Sequence, residues 1–359
     1  MSGPQVAVLG VALAVLLAFA VAAVAVVRVR RVRPPVPEPL DAEPADRPLA
    51  AVVINPTKFV DLEPVRATIT GVCTELGWAE PLWLETTEVD PGTGQTTDAL
   101  RAGADVVLAC GGDGTVRTVA QVLAGTGVAM GLLPAGTGNL LARNLEMQLD
   151  DVASATRIAL TGDDRWVDVG RLLVDDEPEE RTFLVMAGMG FDAAIMASTP
   201  EALKARVGAL AYVIAGLRAL KGQQTRVRLE LDGAPARHRR IRTIVVGNCG
   251  KLQGGLVLMP GAELDDGLLD VVAIAPEGIM GWLAVTGRVL TRRREGHRRV
   301  EHWQVKLITI TADSPQQAQL DGDPIGDARV MEFRADRGAL VVRVPAAAPA
   351  PALATGGTP

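Results

Sequence analysis

The sequence predicts a doubly wound parallel α/β domain followed by a mostly antiparallel β-sandwich domain, the two standing behind an N-terminal helix of membrane-crossing length. Three observations carry this expectation. Residues 4–27 hold no charge; short apolar runs then alternate with stretches of helical spacing; and beyond Asp168 strand-like runs follow one another with a single long helical segment among them.

The uncharged run from Pro4 to Val27 is mostly Ala, Val and Leu. It gives about 36 Å of helix against a hydrocarbon core of about 30 Å. Arg28, Arg30, Arg31 and Arg33 follow at once, and the positive-inside rule puts that flank and everything after it in the cytoplasm. A cleaved signal peptide wants its positive charge ahead of the apolar run, the reverse of this order. The expectation is therefore a single-pass anchor at the cell membrane with its N-terminus outside and the globular part cytoplasmic. Residues 28–48 form a basic flank and a Pro-rich linker (PPVPEPLDAEPADRP from Pro34), too polar to pack and stiffly extended. Residues 345–359 read as a low-complexity, disordered tail.

Within the first domain, 49–165, Leu49–Ile54 reads as a buried strand closed by Asn55-Pro56. Val65, Ile69, Val72, Cys73 and Leu76 predict a helix between Asp61 and Gly77, and Leu82–Leu84 a second strand. DVVLAC (Asp105–Cys110) and AMGLL (Ala129–Leu133) are two more buried strands flanking a helix over Thr115–Ala124. In the second domain, 166–344, strands are predicted over 169–174, 182–187, 226–231, 241–246, 268–274 and 305–311, and a helix over about 200–220; its last segment is allowed to return to the first domain.

Composition removes several function classes. The chain has 359 residues, 48% of them hydrophobic and only 3% aromatic, so the cores are aliphatic and base-stacking platforms are not expected. A net charge of −6 argues against nucleic acid as a partner, which needs a basic face. Cys73, Cys110 and Cys249 sit among apolar neighbours and read as reduced, buried thiols. His238, His297 and His302 lie in arginine-rich stretches and do not form a ligand set. The basic clusters at 237–242 and 292–299 read equally as anionic-lipid contacts or as solvated faces.

The chemistry concentrates in glycine loops. GGDGT (Gly111, Gly112, Asp113, Gly114, Thr115) stands directly between a strand and a helix, where glycine lets the backbone approach a phosphate and the helix N-terminus supplies amides and partial positive charge. Asp113 would repel a bare phosphate, but makes sense holding a magnesium ion that bridges nucleotide oxygens. PAGTGN, with Gly136, Thr137 and Asn139, follows the next strand, so both loops and Asn55-Pro56-Thr57 lie at one carboxyl sheet edge, where doubly wound folds bind ligands. Asp265, Asp266, Asp270, Asp321 and Asp323 crowd two short loops, and that density suggests a cation among them. A carboxylate there also suits proton removal from an alcohol.

The ordered set NPT (Asn55–Thr57), GGDGT, PAGTGN, the GFDA region from Gly190, PGAELDDGLLDV (Pro260–Val271) and DGD (Asp321–Asp323) resembles the diacylglycerol kinase catalytic-domain family with its bacterial lipid kinase and sphingosine kinase relatives, within the NAD kinase-like superfamily. The resemblance spans about Leu49–Val344. It implies an ATP site formed by Asn55, Pro56, Thr57, Lys58, Phe59, Thr87, Gly111 to Thr118 (with Val116, Arg117 and Thr118 after the motif), Gly136, Thr137 and Asn139. It implies Asp323 as proton acceptor, aided by Asp113, and a magnesium ion (Mg2+) held by Glu263, Asp266 and the backbone of Leu268. Diacylglycerol or a related membrane lipid is the implied substrate, with a homodimer left open. NPTKF departs from the usual small residue and glycine, and Lys58 reads either as a phosphate contact or as a solvated lysine. Asp323 replaces the longer Glu of many relatives. A sphingoid-base kinase, a soluble kinase such as a NAD kinase or phosphofructokinase, and a catalytically silent nucleotide-binding regulator are the competing readings. Only the first shares the lipid-type PAGTGNLLAR run, and silence would not need Asp113, Asp266 and Asp323 together.

Overall fold

The computed structural model describes residues 47–147, 151–190, 224–252, 257–275 and 300–346. The expected anchor over 4–27, nearly all of the linker and tail, the helix near 200–220, the GFDA segment after Gly190 and the 292–299 cluster lie outside the described residues. Among the described residues, no helix is long and apolar enough to cross a membrane.

The first half is built on parallel strands β1 (Ala50–Ile54), β2 (Leu82–Glu85), β3 (Val106–Gly111) and β4 (Ala129–Pro134), in the order β4-β3-β1-β2. β1 and β3 are buried along their whole length, which is why they read as unbroken apolar runs. Alternation along each strand feeds two cores. Ala51, Val53, Val107, Ala109, Met130 and Leu132 pack with helices α2 (Thr93–Arg101) and α3 (Asp113–Leu123). Ala50, Val52, Ile54, Val106, Leu108 and Cys110 pack with α1 (Glu63–Glu75) and with α5 (Val152–Thr161), which follows the short helix α4 (Leu140–Asn144). All three cysteines are free and buried; burial pushes the Cys110 thiol up to about 12, so it stays protonated and inert.

The second half is antiparallel: β5 (Asp163–Val174), β6 (Arg181–Phe183), β7 (Met186–Met189), β8 (Thr225–Leu231), β9 (Arg237–Ile241), β10 (Thr243–Gly247), β11 (Leu269–Ile274), β12 (Val300–Val305), β13 (Leu307–Leu320) and β14 (Asp323–Val344). Its core gathers Leu172, Leu229, Ile244, Val271, Ile310 and Met331 around an edge-to-face pair, Phe183 and Phe333, with ring centroids 6.0 Å apart. The basic run at 237–242 falls mainly on β9, whose pairing with β8 puts Arg240 opposite Arg226, two like charges, and His238 opposite Arg228.

Two features of β13 and β14 position the site. Bulges between Thr311 and Gln316 and between Ala318 and Gln319 bend the hairpin. The end of β14 runs parallel to β4, with Val341 opposite Ala129, so the second half's last strand is hydrogen-bonded into the first half's sheet. The turn at the other end of that hairpin is DGD, and it arrives at the start of α3.

Candidate active site

Three loops meet at the carboxyl edge of the parallel strands. The Asn55 N–H donates to the Cys110 carbonyl at 2.9 Å, and the Ala135 N–H to the Gly111 carbonyl at 2.9 Å, so the loops after β1 and β4 are tied to either side of GGDGT. Asn55 folds its own loop, its Oδ1 accepting from the Thr57 N–H at 3.1 Å and the Thr57 hydroxyl at 2.7 Å. A Cβ placed on Gly112 would stand 3.7 Å from Lys58 Cε, so the Lys58 side chain lies beside the phosphate loop. Lys58 is itself exposed. Phe59 is half-buried against the α1 core.

The second glycine loop is wound by Asn139, which adopts a left-handed backbone (φ 48°). Its side chain accepts from the Gly136 N–H at 3.0 Å and donates to the Gly136 carbonyl at 2.8 Å. Gly136 rests directly on Gly112: a Cβ there would lie 2.7 Å from Gly112 Cα, backbone against backbone. Gly136→Ala therefore prises the two loops apart, and we expect the ATP dissociation constant to rise about tenfold, equivalent to about 1.4 kcal/mol. Titration calorimetry checks this; unchanged affinity would show that the spacing of the loops does not matter for the nucleotide. Thr137 stands exposed at the loop tip.

Asp113 joins the two loops. Its Oδ2 accepts the Asn139 N–H at 3.0 Å and its Oδ1 the Leu140 N–H at 2.6 Å, so it fastens the start of α4. A magnesium ion on Asp113 has to share a carboxylate whose two oxygens already accept amides. Burial pushes the Asp113 carboxyl up, the amides oppose this, and the charge of Asp323 adds to the rise. Thr115 and Val116 are buried, Val116 within the core and Thr115 with its hydroxyl packed over Gly111 of the loop. The Thr118 hydroxyl donates to the Gly114 carbonyl at 3.0 Å. Thr87 lies exposed on the loop after β2, its hydroxyl accepting the Asp90 N–H at 3.0 Å; its recorded bonds stay within that loop.

DGD closes the site from the second half. Asp321 is buried and accepts three backbone N–H groups, from Leu184 at 3.0 Å and from Val185 and Met186 at 2.9 Å each. Asp323 is 58% exposed, and its Oδ2 accepts from Arg117 Nη2 at 2.8 Å. A Cβ on Gly114 would stand 3.8 Å from the same oxygen, which puts the Asp323 carboxylate at the N-terminus of α3.

The acidic residues do not form the single cluster expected from their density. Asp265 pairs with Arg165 at 3.0 Å, Asp266 accepts the Leu268 N–H at 2.9 Å, Asp270 accepts from Gln304 at 3.3 Å, and Asp321, held by three amides, shares Arg117 with Asp323. No group of three or more His, Cys, Asp or Glu side chains among the described residues is placed to hold a metal ion. Glu263 is exposed and borders a cleft of about 290 Å³ with Asn144, Arg165, Lys251, Met259 and Asp265. The ELDDG loop is held by Asp168, which the sequence reading passed over: its carboxylate accepts the Gly267 and Gly338 N–H groups at 2.6 Å each. Burial pushes the Asp168 carboxyl up. Its signal was an acid between two valines inside a strand, Val167-Asp168-Val169. None of the recorded bonds of residues 263–268 reaches Asp113 or Asp323.

Comparison with known proteins agrees with this geometry. The diacylglycerol kinase catalytic domain matches residues 65–172, and the YegS C-terminal NAD kinase beta sandwich-like domain matches 185–344. A Pseudomonas aeruginosa protein named "Probable lipid kinase YegS-like" is 33% identical over 261 residues, covering 70% of this chain and 80% of its own. Its Pseudomonas putida counterpart is 30% identical over 80% of this chain and 92% of its own. A diacylglycerol kinase of Mycobacterium tuberculosis is 35% identical over 48% of this chain and 56% of its own. Among solved structures, a diacylglycerol kinase from Bacillus anthracis superposes with a TM-score of 0.62 at 19% identity, over 84% of this chain and 98% of that one, which establishes the shared fold.

Proposed function

Because the chain belongs to the lipid kinase family of YegS-like proteins and diacylglycerol kinases, we propose that it transfers the γ-phosphate of ATP to the hydroxyl of diacylglycerol or a closely related membrane lipid. The observation that carries the reading is the exposed Asp323 carboxylate at the N-terminus of α3, beside Gly114 of the phosphate loop. Phosphoryl transfer asks a protein for positioning, charge neutralisation and a proton acceptor. Gly112, Gly114 and the start of α3 offer amides to the phosphates, and Lys58 adds a cation on the same side. Asp323 accepts the proton of the lipid hydroxyl as the hydroxyl oxygen bonds to the γ-phosphorus and the bond from that phosphorus to the ADP oxygen breaks, with ADP leaving. Asp113 serves the reaction by fixing the second glycine loop.

A magnesium ion bound with ATP would supply neutralisation of charge on the phosphates. A second magnesium would be held by Glu263, Asp266 and the Leu268 carbonyl. Their hard oxygen donors fit it, and Asp266 has a recorded bond only to an amide of its own loop.

We place the enzyme at the cell membrane, held by residues 4–27 with the kinase in the cytoplasm, on the uncharged run and the arginines after it. Deleting residues 1–33 should move the protein from the membrane to the soluble fraction with its micellar activity retained; a full-length chain already soluble would contradict the anchor. For the acceptor, diacylglycerol, a sphingoid base and a polyprenol are compared in mixed micelles. The reading expects the highest kcat/KM with diacylglycerol, and a preference for another lipid would replace the substrate while keeping the reaction.

A further inference from the structure

We propose that Arg117 is the positioning residue for the proton acceptor, locking the DGD turn onto the helix that begins at the phosphate loop. The proposal rests on the reading of Asp323 as the base. The family resemblance places Arg117 among the ATP contacts, but its guanidinium is committed elsewhere. Nη1 donates to the Leu320 carbonyl at 3.1 Å, Nη2 donates to Asp323 Oδ2 at 2.8 Å, and Asp321 Oδ2 lies 3.9 Å from Nη1. The Arg117 side chain is only 18% exposed. These acceptors span the whole DGD turn, and a planar fork reaches two of them at once where a lysine offers one point charge.

The two acids of the turn are held in different ways. Asp321 is fixed from behind by the amides of residues 184–186 and cannot be turned toward a substrate without stranding them. Asp323 is open to solvent, and Arg117 is its one recorded partner among the described residues. The orientation of the base is therefore set from α3 through Arg117. Arg117 lies four residues after Asp113, so both project from one side of α3. One holds the second glycine loop and the other the DGD turn, so a single helix start aligns the phosphate cradle, its neighbouring loop and the base.

The test is steady-state kinetics on full-length Arg117→Ala, Arg117→Met and Arg117→Lys, with thermal midpoints recorded for each. Freeing the base should lower kcat roughly ten- to a hundredfold in the Ala and Met variants, the scale of a misplaced reacting group. KM for ATP should stay within about threefold, and Lys should recover part of the loss. Arg117→Ala combined with Asp323→Asn should be no slower than Asp323→Asn alone, because the arginine acts through the carboxylate. A large rise in KM for ATP at unchanged kcat, or multiplicative losses in the double variant, overturns the proposal and makes Arg117 a phosphate ligand. Should the wild type phosphorylate no lipid, the kinase reading fails, and the clamp is then read from stability. Arg117→Met should lower the thermal midpoint at least as much as Asp323→Ala, because it also releases the Leu320 carbonyl and Asp321, and the combination should lower it no further than Arg117→Met alone if the clamp exists; additive shifts refute it.

Discussion

If Asp323 is the proton acceptor, Asp323→Asn should lower kcat by about a hundredfold or more while KM for ATP and for lipid changes little. The substitution keeps size and hydrogen-bonding capacity but removes the ability to take a proton from the attacking hydroxyl. Its side chain is the exposed carboxylate of the DGD turn, so truncation leaves no buried group unpaired and the fold survives. Arg117 still finds the amide oxygen and the Leu320 carbonyl, which keeps the turn in place. Asp321 is no substitute: it is buried behind the turn with its oxygens spent on three amides. Steady-state kinetics in mixed micelles measures the effect. Near wild-type kcat would remove Asp323 from the proton path.

Gly112→Asp should abolish ATP binding without unfolding the protein. Gly112 has extended backbone angles (φ −88°, ψ −174°) that any residue adopts. A Cβ there meets nothing closer than Gly136 Cα at 3.6 Å and Lys58 Cε at 3.7 Å, ordinary contacts. The harm comes only when the phosphate arrives. A carboxylate about 4 Å from a phosphate oxygen costs about 4 kcal/mol near a protein surface, close to a thousandfold in affinity. Calorimetry should find no measurable binding, with a thermal midpoint within a few degrees of wild type. Normal affinity in this variant would take GGDGT out of the site. The contrast with Gly136, where the added carbon collides with backbone before any ligand binds, separates loop packing from phosphate contact.

What could be read from the sequence was what is local. β1, β3 and β4 were legible because strands buried on both faces are unbroken apolar runs. Helix α2 was passed over because TGQTTDALR is polar and buries only Thr96 and Ala99. The expected strand over 305–311 straddles the boundary between β12 and β13, since the residue that separates them, Lys306, does not interrupt the β pattern. At the site, the glycine loops were legible because each belongs to one strand end. The arginines beside the acid-rich loops were not legible because they come from distant elements: Arg165 on β5 is 100 positions from Asp265, and Arg117 on α3 is 206 from Asp323. No spacing rule reaches that far. The resemblance pointed to Asp323, but not to its contact with Arg117.

The most direct test of the account follows the γ-phosphate itself. Full-length protein is incubated with γ-labelled ATP, magnesium and micelles containing diacylglycerol, with NAD as a soluble acceptor in a parallel reaction, and the products are separated by organic extraction. The account predicts label in the lipid phase as a phosphomonoester, dependent on magnesium, lost in Gly112→Asp and reduced at least a hundredfold in Asp323→Asn. Label confined to the aqueous phase, on NAD or as free phosphate with every lipid offered, would contradict it.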